Sequence, residues 1–156
     1  MSPQKLSFLE NDLFSLLADI NVDTAAKWGK MNAQQMIEHL VDFFNVSTEK
    51  VIFPVVTPEE HLPKFKEFLL SDKQFRENTK APSSVLGEDP LPLRCADIET
   101  AKQRLKNAVQ DFIAYFNEQP GRITNHPAFG PLNYDEWIQL HYKHVTHHLR
   151  QFGIAC

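Results

Sequence analysis

Imidazole is the side chain most used to bind transition metals and to move protons near neutral pH, and this chain concentrates it. Of seven histidines, four fall between positions 141 and 148, in the stretch YDEWIQLHYKHVTHHLRQF. His144 and His148 are four residues apart, so on a helix they stand one above the other and can share an ion. At about 100° per residue, His148 lies about 40° and His141 about 60° from His144. Both fall on the arc that carries Trp137, Ile138, Leu140, Val145, Leu149 and Phe152. On the same wheel His147 falls at about −60°, toward Lys143 and Arg150, and reads as a surface residue. His61 reads the same way.

Two ligands on one helix need a third from elsewhere. His39 is the natural candidate, because Met36 and Phe43 give it an apolar helix face. Neutral imidazoles suit zinc, nickel, copper or ferrous iron; the expected ion is a divalent transition metal, zinc or nickel first, with manganese or iron as further candidates. Three protein nitrogens leave a coordination position for water or substrate. The pattern is not that of the zincins, since Val145 stands where H-E-x-x-H places its glutamate base. His141, about 10 Å along the axis from His148, hardly completes a site with both helix partners. It is a candidate catalytic or substrate-contacting group, or a hydrogen-bonded core residue. His126, in a Pro/Gly-rich loop, is a candidate general acid or base, or a loop residue that packs or caps. Gln151 and Asn45 are candidates for orienting ligands, and Asp42 is either an extra acid or part of a solvated face. Spacing alone leaves a rival reading open, in which the inward histidines are simply packed in the core, each with its own hydrogen bond.

The elements that must position these residues read as helices. Leu6, Leu9, Leu13, Leu16 and Leu17 recur at helical spacing, which predicts a helix from Lys5 to about Asp19. Asn32 with Gln35 forms a capping-box pattern opening a helix to about Glu49. Thr57-Pro58-Glu59-Glu60 predicts a short helix ending near Leu70. Residues 71–96, with Pro82, Gly87, Pro90 and Pro92, predict a long irregular connection, either a functional loop or a crossover. Asp97 caps a helix from Ile98 to about Glu118, which Pro120-Gly121 ends. Arg122 to Leu132 predicts a loop. Asn133 with Glu136 opens the last helix, which runs to about Phe152 and is closed by Gly153. Val51-Ile52-Phe53 and Val55-Val56 are β-prone and could pair briefly. Four long amphipathic helices favour a bundle, with the 58–70 helix as an accessory piece.

Composition narrows the function classes. The 156 residues suit one domain, 1–156, with a real core. Sixteen basic residues spread among twenty acidic ones give a net charge of −4, without the basic cluster that nucleic acid attracts. No apolar run is long enough to span a bilayer, and the N-terminal stretch lacks a signal-peptide pattern. Cys95 and Cys156 are not a C-x-x-C pair and are expected as reduced thiols. These features point to a cytoplasmic protein whose partner is a small molecule, not nucleic acid or membrane.

Trp28, Met31, Met36, His39 and Leu40 spell W-x-x-M-x-x-x-x-M-x-x-H-L, and His144, His147, His148 and Gln151 spell H-x-x-H-H-x-x-Q about a hundred residues later. Together they resemble the DinB/YfiT-like superfamily. HPAFGPL before the last helix resembles a branch of uncharacterised bacterial members. The resemblance implies an all-α four-helix bundle, to which the helix pattern above adds one short accessory helix and a long irregular crossover. It also implies a metal held by His39, His144 and His148, the three residues the wheel selects. Relatives include thiol-dependent S-transferases or isomerases and proteins named as metal-dependent hydrolases. The expected function is therefore a metal-dependent enzyme acting on a small molecule, with a low-molecular-weight thiol as a candidate cosubstrate. The alternative is a non-enzymatic metal-binding or stress-response bundle. Homodimers are common in the family.

Overall fold

The computed structural model describes residues 2–77 and 90–156. Its helices are α1 (Pro3–Ser7), α2 (Leu13–Leu17), α3 (Ala33–Ser47), α4 (Leu62–Leu70), α5 (Ile98–Glu118) and α6 (Tyr134–Gln151). Two three-residue strands, β1 (Thr124–His126) and β2 (Gly130–Leu132), precede α6. The fold is the expected all-α bundle: the segment formed by α1 and α2, then α3, α5 and α6, enclose the core, and α4 packs on α6. α3 packs most extensively against α5.

The first helical segment differs from a regular helix. It starts earlier than the leucine pattern shows, because Ser2 accepts from Lys5 N–H and Pro3 occupies the first turn. Between α1 and α2, Phe8–Asp12 is a π-helical turn. A widened turn closes on i→i+5, which keeps Leu9, Leu13 and Leu17, spaced by four, stacked on one face. All three are buried.

α3 and α6 begin as their capping boxes predict. Asn32 accepts from Gln35 N–H and Asn133 accepts from Glu136 N–H, and each partner side chain reaches back to its cap. Asp97 caps α5 through Thr100 N–H. The Thr57-Pro58 start is corrected. Pro58 is extended (ψ 140°), so Glu59–His61 form a 3-10 turn and the α-helix begins only at Leu62, with Pro63 in its first turn.

The loop before α6 is a small hairpin that periodicity does not reveal. β1 and β2 pair antiparallel, Thr124 opposite Leu132 and His126 opposite Gly130. Gly130 takes φ +76°, the left-handed conformation that closes such a turn. Val51–Val56 form no strand. Val56 N–H instead donates to the Pro127 carbonyl at 2.8 Å. Of the connection expected over 71–96, the flanks 71–77 and 90–96 are irregular, and 78–89 lie outside the described residues. Among the described residues no helix is long and apolar enough to cross a membrane.

Candidate metal centre

His39 projects from the middle of α3, and His144 and His148 project from successive turns of α6. Their ring nitrogens converge: His39 Nε2 is 3.1 Å from His144 Nε2, and His148 Nε2 is 3.0 Å from it. One nitrogen from each residue falls within a 4.8 Å group. Behind the cluster, His148 Nδ1 lies 2.7 Å from Gln151 Oε1.

The hydrogens explain why this arrangement suits a cation. An amide oxygen only accepts, so His148 carries its hydrogen on Nδ1 and presents a bare Nε2. His144 Nε2 can donate one hydrogen to that lone pair, but then has nothing to accept with toward His39. Neutral imidazoles can thus satisfy one of the two short contacts well, not both. A divalent ion held by His39, His144 and His148 would instead accept the lone pairs of all three converging nitrogens. Burial, joined by repulsion from His147 and Arg94, pushes His39 down to about 4. Burial first, and neighbouring histidines second, hold His144 and His148 well below the ordinary imidazole range. All three are therefore neutral, with lone pairs available, at pH 7.

His141 and His126 stand elsewhere. His141 is stacked on Phe44 at 3.8 Å and packed against Trp137 and Phe112. Its Nε2 lies 3.1 Å from Ser47 Oγ. That hydroxyl donates to the Phe44 carbonyl, so it accepts from the imidazole. His126 is also buried, and its Nδ1 accepts the Ala128 and Phe129 N–H groups at 2.9 and 3.2 Å. It thereby holds the hairpin turn closed, and burial pushes it to about 3. Phe43 stands between His126 and the cluster, with its ring 6.0 Å from His126 and 4.6 Å from His144.

Two features escape helical-wheel reasoning. His147 is not a surface residue: it is 4% exposed, covered by Trp28 and Phe75 with ring centroids at 5.8 Å on each side. Lys143, expected on the polar border, is also buried, and its ammonium donates to the carbonyls of Ser71 and Lys73. The 71–77 segment thus covers the side of α6 that the wheel leaves to solvent. His61 is exposed as expected. Asn45 contributes through its backbone carbonyl, which accepts the Lys50 and Val51 N–H groups.

On the outer side of α3, Asp42 is paired with Arg94 through two bonds of 2.9 and 2.8 Å. One turn earlier the buried Glu38 accepts from the N–H groups of Arg94 and Cys95 and from Gln34. Burial alone would raise its pKa, but those bonds and the Arg94 charge outweigh it and hold the carboxyl below its usual value. Glu38 thereby fastens the end of the crossover to the helix that carries His39. Neither anchor has a local signal in the sequence, because Arg94 and Cys95 lie over fifty residues from Glu38 and Asp42. A groove of about 180 Å³ lies beside Phe43, walled by Val46, Val51, Phe53 and Leu91 with the Asp42–Arg94 pair at one side. Cys95 and Cys156 are both free thiols.

A family model described as the DinB superfamily matches residues 6–152. No curated protein and no solved structure matches the chain.

Proposed function

The chain belongs to the DinB superfamily, and on that premise we propose that it is a metal-dependent enzyme whose divalent transition metal, zinc or nickel first, is held by His39, His144 and His148. One observation carries this reading: three neutral ring nitrogens converge within 4.8 Å, with more lone pairs than the available hydrogens can satisfy. Bound there, the ion would supply Lewis acidity that makes a water or a thiol a nucleophile near neutral pH. The chain's own residues do the rest. Burial keeps the imidazoles unprotonated, Gln151 holds the hydrogen on His148 Nδ1, and Phe43 gives the cluster an apolar wall. The groove beyond Phe43 suits the apolar part of a small substrate. His39 and His144 retain partial exposure, which favours an approachable site over a sealed one.

Three protein nitrogens leave room for a further ligand, whereas a structural staple closes its shell with four. The staple reading draws on the fact that the cluster joins α3 to α6. X-ray absorption of the metal-loaded protein separates the two. The proposal expects three imidazoles plus at least one exchangeable light atom, and replacement of that atom by sulfur on adding a small thiol would assign S-transfer over hydrolysis. A closed shell of four protein ligands, unmoved by thiol or azide, would contradict catalysis.

A further inference from the structure

The last turn of α6 rests on residues from the distant 27–29 turn. Lys27 N–H donates to the Gln151 carbonyl at 2.7 Å, an acceptor that a helix end leaves without an intrahelical partner. The Gln151 side chain donates from Nε2 to the Trp28 carbonyl at 2.9 Å. At its other end, Oε1 lies 2.7 Å from His148 Nδ1. A backbone carbonyl only accepts, so Trp28 fixes which way the amide faces: nitrogen toward Trp28, oxygen toward His148. The imidazole must then carry its hydrogen on Nδ1. Its Nε2 is left bare and faces His144 Nε2.

Gly29 protects this relay. It takes φ +82°, and a Cβ there would stand 2.6 Å from Gln151 Nε2. A side chain there would be strained at this φ and would push the Gln151 amide out of its place between Trp28 and His148.

We infer that the Trp28–Gly29 turn, acting through Gln151, is a positioning device that sets the tautomer and ring direction of His148. It thereby governs the affinity of the three-histidine cluster for a divalent transition metal without supplying a ligand. The metal half rests on the proposed function; the tautomer half does not. Groups that orient a ligand imidazole typically matter roughly ten- to a hundredfold for metal affinity.

The test combines two measurements on wild type, Gln151→Leu, Gly29→Ala and Gly121→Ala. Nitrogen-15 NMR of the imidazoles in metal-free protein reads the His148 tautomer, and chelator competition reads the zinc dissociation constant. Gly121 has φ +85° and nothing within 4 Å of an added Cβ, so Gly121→Ala imposes similar backbone strain away from Gln151. Expected are an Nδ1–H tautomer in wild type, a mixed tautomer in Gln151→Leu and Gly29→Ala, and zinc binding weaker by roughly ten- to a hundredfold in both. Gly121→Ala should match wild type on both readouts. Unchanged tautomer and zinc affinity in Gln151→Leu would overturn the inference, as would a Gly29→Ala effect no larger than that of Gly121→Ala. If wild type bound no zinc, the metal reading would fall. The spectra would still decide the relay: loss of the Nδ1–H form in Gln151→Leu supports it, and its persistence overturns it.

Discussion

His141 and His144 sit one turn apart on the same helix, and both are held well below the ordinary imidazole pKa, chiefly by burial. Their chemistry is nevertheless opposite. His141 is enclosed by Phe44, Phe112 and Trp137, and its Nε2 is matched to the Ser47 hydroxyl. His144 faces two other imidazoles, and its Nε2 lies near two nitrogens that cannot both be satisfied by hydrogens. A buried, neutral histidine is therefore not in itself a metal ligand. What distinguishes the ligand candidate is convergence of lone pairs without enough hydrogens. His126 falls on the His141 side of this contrast, since two backbone amides use its Nδ1.

Substitutions should divide along that line. The largest effect is expected for His148→Ala, which removes a ligand candidate and should take metal content from about one equivalent to background, as read by elemental analysis. His141→Ala should keep the metal but cost about 2–4 kcal/mol of stability, from a cavity in the aromatic core and an abandoned Ser47 partner. Urea unfolding measures that loss. Metal retained in the first variant, or lost in the second, would reverse the division.

The pH dependence of metal-free protein carries the next effect. The unfolded chain takes up protons on histidine near 6.5, whereas folded His39 resists until about 4 and His126 until about 3. Between those limits the unfolded state binds more protons, so stability falls as pH drops below 6.5. The urea midpoint should decline steadily from pH 7 to pH 4. Added metal should oppose the decline at the upper end of that range, because it binds only unprotonated imidazoles. A midpoint flat across the range would contradict neutral buried histidines.

His126→Ala should cost less, about 1–3 kcal/mol, by orphaning the Ala128 and Phe129 amides, with metal stoichiometry unchanged. Thermal unfolding beside metal analysis checks both parts. The smallest effect belongs to Lys50→Ala. Its ion pair with Asp111 is half exposed on both sides, so its removal should change stability by less than about 0.5 kcal/mol.

Much of the fold is written in local signals. The Asn32–Gln35 and Asn133–Glu136 boxes start α3 and α6 where their sequences indicate, because a cap joins residues three apart. The helical period also places His144 and His148 together, and the apolar face of α3 turns His39 toward them. Features made by distant partners were not legible. His147 and Lys143 look polar-facing until Trp28 and the 71–77 segment cover them. The Glu38 anchor depends on Arg94 and Cys95, far along the chain. The 124–132 hairpin is too short, and its two prolines too disruptive, for a period of two to show. The π-helical turn is hidden because leucines spaced by four suit a wide turn as well as a normal one.

The most direct measurement is elemental mass spectrometry of tag-free protein purified without chelators and then offered zinc or nickel. Wild type would be compared with His39→Ala, His144→Ala, His148→Ala and His141→Ala. About one equivalent of transition metal in wild type and His141→Ala, with background levels in the other three, is the predicted result. Background metal in wild type, or full metal in any of the three ligand variants, would contradict the three-histidine centre.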